Sequence, residues 1–192
     1  MSVGSVLINL AENAEPAITL IQTVAGLIAL LLFTGGLLNI WSAGNANSQK
    51  FLASSQRSTY GGAFVQLFIA ILFLGIADLE LIGIATRSFT GGYTTERLTT
   101  GSFSYDPVGP VSENISLSIF AIAVLLQVVG IIAFMKGLFI MNGRANGTTQ
   151  ESYSKGICFM IGGLGCWNIQ YVAQVLNNSM GFDFLGLLSL SP

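Results

Sequence analysis

Residues 16–49 read PAITLIQTVAGLIALLLFTGGLLNIWSAGNANSQ and contain no Asp, Glu, Lys or Arg. Three further charge-free runs, each at least twenty residues long, follow at 58–77, 114–135 and 156–182. Because an α-helix rises ~1.5 Å per residue, about 20 apolar residues are enough to cross a ~30 Å hydrocarbon core. The four runs therefore predict a polytopic α-helical membrane protein.

The composition excludes several classes of protein. Only 8% of the residues are charged, 52% are hydrophobic and the mean hydropathy is +0.72, whereas about a quarter of a soluble domain is charged. The net charge of −2 gives no basic field, so we expect no direct sequence-specific nucleic-acid binding. The sequence has no histidine, which removes the commonest general base and metal ligand. We predict a non-enzymatic protein with no catalytic residue, no metal and no cofactor.

The positions of the runs predict an all-α membrane protein with four transmembrane helices, arranged as two tandem helical hairpins with short basic loops. The predicted spans are residues 17–41, 60–78, 115–141 and 156–176. The apolar stretch after Glu80 is predicted to lie along the membrane interface. The chain divides into an N-terminal leader with the first hairpin, an extramembrane periplasmic loop rich in Ser, Thr and Gly, and the second hairpin with an apolar tail: residues 1–86, 87–114 and 115–192.

Lysine and arginine are unevenly distributed between the two sides of the predicted membrane. The two short loops carry Lys50, Arg57, Arg144 and Lys155, and Lys136 is close enough to the same face to reach it. The other side carries two basic residues against these five. Since cytoplasmic loops are enriched in Lys and Arg, we predict a multi-pass inner-membrane protein with both termini periplasmic. The four loop residues are candidates for contact with lipid head groups or partners.

The two halves of the chain resemble each other. LIQTVAGLIALL at 20–31 matches LLQVVGIIAF at 125–134 and aligns Gln22 with Gln127. The loops that follow are also alike, as AGNANSQ and GRANGTTQ. The pattern predicts a duplication whose two hairpins have the same orientation, unlike the inverted repeats of many transporters.

Uncharged polar side chains inside the predicted spans need partners away from lipid. These candidates are Gln22, Asn39, Gln66, Gln127, Asn168, Gln170 and Gln174. Gln170 and Gln174 are four residues apart and share a helix face. Two interpretations are open: the side chains line a water-filled lumen, or they form interhelical hydrogen bonds of roughly 0.6–2 kcal/mol each.

Small residues mark candidate close contacts between helices, because they let backbones approach. The candidates are Ala25, Ala29, Gly35, Gly36, Gly162 and Gly163. Cys158 and Cys166 lie eight residues apart, about 12 Å along a helix and too far for a disulfide. We predict that both are packing residues and that they form neither a disulfide nor a metal-binding pair.

The second half has features of a known group of proteins. It reads LLQVVGIIAFMKGLFIMNGRANG at 125–147 and GICFMIGGLGCWNIQYVAQVLNNSMGF at 156–182. The residues concerned are Phe134, Lys136, Gly137 and Leu138 at the end of one span, Gly162, Gly163 and Asn168 in the next, and Asn178, Met180, Gly181 and Phe182 after it. This pattern resembles the small polytopic inner-membrane proteins of type IVB secretion and conjugation systems, such as DotE/IcmC, DotP/IcmD and TraQ/TraR. The first half is a weaker version of the same hairpin.

The resemblance implies a non-enzymatic integral membrane subunit of a bacterial type IVB-like secretion or conjugation apparatus, which contributes to the transfer channel or to its assembly. The implied partners are membrane lipid, other subunits of the apparatus and further copies in a homo- or hetero-oligomer. One alternative is a pilin-like subunit that polymerises into a pilus or ring and so becomes extracellular. A second alternative is a small channel or transporter.

Overall fold

The computed structural model describes residues 14–44, 60–91 and 110–180. All regular secondary structure in these ranges is helical. The helices are α1 (Ala14–Gly44), α2 (Tyr60–Ala77), α3 (Glu80–Thr90), α4 (Pro110–Ala145), α5 (Tyr153–Trp167) and α6 (Ile169–Met180). Lys50, Arg57, most of the predicted periplasmic loop, the leader before Ala14 and the tail after Met180 lie outside the described residues.

Three helices are long and apolar enough to cross a membrane. The segments concerned are Pro16–Gly44, Tyr60–Ala77 and Ala121–Ala145, which correspond to the first three predicted spans. Their outward faces are apolar: Leu31 is 71% exposed and Phe64 is 62% exposed. Large exposed apolar surfaces are rare on soluble monomers but are required where a helix faces lipid. In the described residues, the prediction of an all-α protein with helices long and apolar enough to cross a membrane is confirmed.

The fourth predicted span differs from the expectation. Residues 156–176 do not form one continuous helix, because the chain is interrupted at Asn168 between α5 and α6. These helices have 15 and 12 residues, and each alone is shorter than the ~20 residues that a span requires. The interruption is local, since the Asn168 N–H still bonds to the Leu164 carbonyl at 2.9 Å. The arrangement as four continuous spanning helices is therefore not confirmed.

After α2 the chain turns at Asp78 and Leu79, where Leu79 takes a φ of 58°. The stretch that is predicted to lie along the membrane interface then forms the helix α3. This amphipathic helix buries Ile82 and Thr86. It extends three residues past the predicted loop boundary at Arg87, and α4 likewise begins inside the predicted loop, at Pro110.

The second short loop begins with a Schellman motif at the end of α4. Gly147 has a φ of 70°, a conformation that glycine adopts without a Cβ penalty. The Thr148 N–H bonds to the Gly143 carbonyl at 2.8 Å, and the Gly147 N–H bonds to the Arg144 carbonyl at 3.2 Å. These bonds satisfy carbonyls that the helix end leaves without partners. The Asn-Gly pair thus fixes where α4 ends.

The residues group into two compact units made of interleaved segments. Unit 1 comprises Met1–Thr19, Gly83–Ile131 and Gly163–Pro192, and unit 2 comprises Leu20–Ile82 and Ile132–Gly162. In unit 2, the rings of Phe73 and Phe139 pack with centroids 5.0 Å apart, tilted by 53°. In unit 1, Val128 and Ile169 pack against Ala123 and Val124.

Candidate functional site

The polar side chains inside the apolar helices form cross-helix hydrogen bonds in the described residues. In unit 2, the Asn39 Nδ2 of α1 donates to the Gln66 Oε1 of α2 at 2.8 Å. Gly35 makes room for this pair, because a Cβ at that position would lie 2.7 Å from the Gln66 Nε2. Gly35 therefore leaves the space in which the Asn39 and Gln66 amides form their hydrogen bond, and this bond fixes the register of α1 against α2.

Gln22 makes the second polar contact in unit 2. Its Nε2 donates to the carbonyl of Ala77 at 3.1 Å, and Ala77 is the last residue of α2. The last carbonyls of a helix lack intrahelical donors and need a partner when they are away from water. The Gln22 side chain of α1 donates this missing hydrogen bond at the end of α2, just before the turn that leads into α3.

Gln127 makes a contact of the same type in unit 1. Its Nε2 donates to the carbonyl of Trp167 at 3.4 Å, and Trp167 is the last residue of α5. The sequence comparison of the two halves aligns Gln22 with Gln127, and each binds the last carbonyl of the helix before an interruption. The two halves also share an order of elements: a long helix, a short loop, a second helix, an interruption and a short amphipathic helix. This correspondence supports the duplication, although sequence analysis did not foresee the role of the glutamines.

Asn168 and Thr86, together with Gln127, are the buried polar side chains of unit 1 among the described residues, and we call these three the polar group of unit 1. The Asn168 Nδ2 donates to the Thr86 Oγ1 at 3.1 Å and to the Leu164 carbonyl at 2.9 Å. Asn168, Thr86 and Gln127 are all at most 1% exposed. Within the described residues, the buried Asn168 Oδ1 has no hydrogen-bond donor. Leaving such an acceptor unpaired costs about 1–3 kcal/mol.

Sequence analysis missed Thr86, because the stretch after Glu80 was assigned to the membrane interface. The only sequence feature that could have identified Thr86 is that it is the one polar residue in LIGIAT at 81–86. The side chains of Gln170 and Gln174 lie outside the described residues, so the structure leaves their predicted role open.

The small-residue candidates occupy different environments. Ala25 and Ala29 are buried on α1. A Cβ at Gly36 would lie 2.7 Å from the Leu67 Cδ2. Gly162 is exposed, and a Cβ there would meet nothing within 4 Å. Gly162 therefore makes no close contact with the described residues, and its predicted role in packing is not seen among them.

Glycines that the sequence analysis did not select also form close contacts between helices, and these contacts are with backbone atoms. In unit 1, a Cβ at Gly130 would lie 2.7 Å from the Gly163 carbonyl oxygen and 2.9 Å from the Trp167 nitrogen. In unit 2, a Cβ at Gly137 would lie 2.6 Å from the Gly156 carbonyl oxygen. Gly163 was a candidate, but Gly130, Gly137 and Gly156 were not. The sequence pattern that could have identified them is a spacing of seven residues, from Gly130 to Gly137 on α4 and from Gly156 to Gly163 on α5. Residues with this spacing lie on the same face of a helix.

The described basic candidates lie at one end of unit 2. Arg144 is exposed in the last turn of α4, and exposed Lys155 forms an ion pair with Glu151. A Cβ at Gly62, near the start of α2, would lie 2.9 Å from the Ala145 carbonyl. The beginning of α2 and the end of α4 therefore meet at this end of unit 2.

The two cysteines are free thiols. Cys166 is half-buried, whereas Cys158 is exposed and does not take its predicted packing role among the described residues. In the part of the chain that the structure describes, no three His, Cys, Asp or Glu residues come together in a way that could hold a metal ion. The described polar group of unit 1 consists instead of amides, a hydroxyl and main-chain carbonyls. Its chemistry is to donate and accept hydrogen bonds between helices.

No family model matches this sequence, and comparison with the curated proteins and with the solved structures finds no similar protein.

Proposed function

We propose that this chain is a non-enzymatic integral membrane subunit of a bacterial type IVB-like secretion or conjugation apparatus. In this proposal its two tandem hairpins lie in the inner membrane and contribute to the transfer channel or to its assembly. The supporting observation is that the described polar side chains of the apolar helices join helices to one another. Such contacts suit a packing subunit, and the resemblance of the second half to small transfer-system proteins points to the apparatus.

A pilin-like subunit is the second candidate. The contacts between Asn39 and Gln66 and between Gln22 and Ala77 in unit 2 make α1 and α2 an antiparallel helical hairpin. Conjugative pilins resemble this plan of two apolar helices joined by a short basic loop. Filaments sheared from cells would contain the chain if it polymerises, and the membrane fraction alone would contain it if it is an inner-membrane subunit.

The proposed topology gives a direct prediction. We expect residues 42–59 and 142–155 to be cytoplasmic, because they carry most of the basic residues and because the helix ends beside them meet. Single cysteines at Ser48, Ser102 and Thr149, in a chain lacking the two native cysteines, are treated with a membrane-impermeant thiol reagent in intact cells. Only the cysteine at position 102 should be labelled, and the reverse pattern would contradict the topology.

The proposed function predicts that transfer depends on the basic face. Deleting the gene should abolish transfer of a mobilisable plasmid or a reporter substrate, and the wild-type chain should restore it. A variant with Gln at Lys50, Arg57, Arg144 and Lys155 should restore transfer poorly, because each basic residue near anionic lipid contributes ~1 kcal/mol. The measurement is transfer frequency in strains with equal amounts of membrane-inserted protein.

The matched control replaces Arg87 and Arg97 by Gln, which removes two charges from the opposite predicted side. We expect this variant to restore transfer as well as the wild type. Full transfer by the four-residue variant, with unchanged topology, would limit the basic loops to a role in insertion. Normal transfer in the deletion strain would contradict the proposed function itself.

A further inference from the structure

Lys136 is a cationic side chain within an apolar part of α4. It is exposed, and its Nζ lies 4.6 Å from the centroid of the Phe159 ring. Lys136 precedes the end of α4 at Ala145 by nine residues, which is about 13 Å of helix. A lysine at such a depth keeps its stem on apolar surface and extends its ammonium towards the head groups.

The surface beside Lys136 is an apolar groove of about 370 Å³. Both of its walls belong to unit 2. The lining residues are Leu20, Ile21 and Val24 of α1 and Ile132, Met135, Lys136 and Phe139 of α4. Phe139 is held in place by its packing against Phe73. Lysine is the only ionisable residue among these seven.

The charge of Lys136 is not neutralised within the described residues. Among them, the one ion pair joins Lys155 and Glu151, and the contact of the Lys136 ammonium is the aromatic face of Phe159. A cation–π contact attracts the ammonium without cancelling its charge. The groove therefore combines a channel for a hydrocarbon chain with a positive charge, which together complement an anionic amphiphile.

We propose that this groove binds an anionic phospholipid. The phosphate group pairs with the Lys136 ammonium, and one acyl chain lies between Val24 of α1 and Ile132 of α4. Because lipid tails are as apolar as leucine, the groove alone gains little over the surrounding bilayer. The preference for an anionic head group therefore comes from Lys136, and the groove fixes where the lipid lies. This inference requires only that the chain is in a membrane, so it is independent of the transfer function.

The test measures which lipid stays bound. Purified full-length protein in detergent is mixed with equal amounts of dioleoyl phosphatidylglycerol and dioleoyl phosphatidylcholine, and retained lipids are counted by native mass spectrometry. We expect about a fivefold preference for phosphatidylglycerol in the wild type and in Lys136→Arg. Lys136→Gln should lose most of this preference, and the basic loops account for what remains. Arg87→Gln is the matched control, because it removes an exposed basic residue of α3 outside the groove and should keep the preference.

A groove-filling variant separates the two parts of the proposal. Val24→Trp occupies the groove and leaves the charge of Lys136, so we expect it to lose the retained phosphatidylglycerol. An unchanged preference in Lys136→Gln would overturn the proposal. A preference retained in Val24→Trp would overturn the groove as the binding site. Loss of an acidic protein partner from Lys136→Gln, with an unchanged lipid ratio, would assign the lysine to that partner instead.

Discussion

Gly130→Leu and Gly137→Leu are each expected to lower the free energy of unfolding by about 3 kcal/mol, the upper part of the usual range for overpacking. At both positions the added side chain meets backbone of α5: the Gly163 carbonyl lies 2.7 Å from a Cβ at 130, and the Gly156 carbonyl lies 2.6 Å from one at 137. Backbone cannot rotate away as a flexible side chain does, so the helices must separate. Reversible denaturation of the purified protein in mixed micelles measures the change.

Gly162→Leu is the matched control for both glycine variants. It places the same side chain on the same type of helix, but a Cβ at this position meets nothing within 4 Å. We expect a change within about 0.5 kcal/mol, as for an ordinary surface substitution. Equal destabilisation by all three variants would show that the loss follows from leucine itself and not from the close contacts. Native gels of Gly162→Leu also test the expected subunit contact, since a smaller complex with unchanged stability would identify one.

Asn39→Leu is expected to cost about 1–3 kcal/mol, because it leaves the buried Gln66 amide without its partner. Gln66→Leu should cost a similar amount for the same reason. The double variant should be clearly more stable than the sum of the two losses predicts, since replacing both members removes the unpaired group. A double-mutant cycle on the free energy of unfolding gives this interaction energy.

Thr34→Val is the control for this cycle. The Thr34 hydroxyl donates to carbonyls of its own helix, those of Leu30 and Leu31, both at 3.0 Å. Its loss leaves the contact between α1 and α2 intact, so the variant should be near neutral. Additive effects of Asn39→Leu and Gln66→Leu would mean that their hydrogen bond does not stabilise the protein.

The long-range plan of the helices could be predicted from the sequence because lipid imposes a simple requirement. A run of about 20 uncharged apolar residues must be helical to satisfy its own backbone there. The second span was accordingly predicted from Tyr60 to Asp78, and α2 ends one residue earlier. The interruption at Asn168 could not be predicted in this way, since no charged residue, glycine or proline stands next to it in the sequence.

The choice of partners was decided by tertiary structure. The sequence identified Gln22 and Gln127 as polar residues that need partners, and aligned them with each other. It could not name Ala77 and Trp167, because a main-chain carbonyl is present at every residue. Thr86 likewise gains its role only from the approach of Asn168, which lies 82 residues away.

The sequence by itself determined the helical class, the presence of segments long and apolar enough to cross a membrane, and most of the polar residues that join the helices. These follow from composition and from runs along one chain. Only the tertiary structure decided that Gly163 lies against Gly130 while Gly162 is open, since neighbouring residues on one helix point in directions about 100° apart. It also decided that Lys136 lies beside an apolar groove, because two helices distant in sequence form its walls.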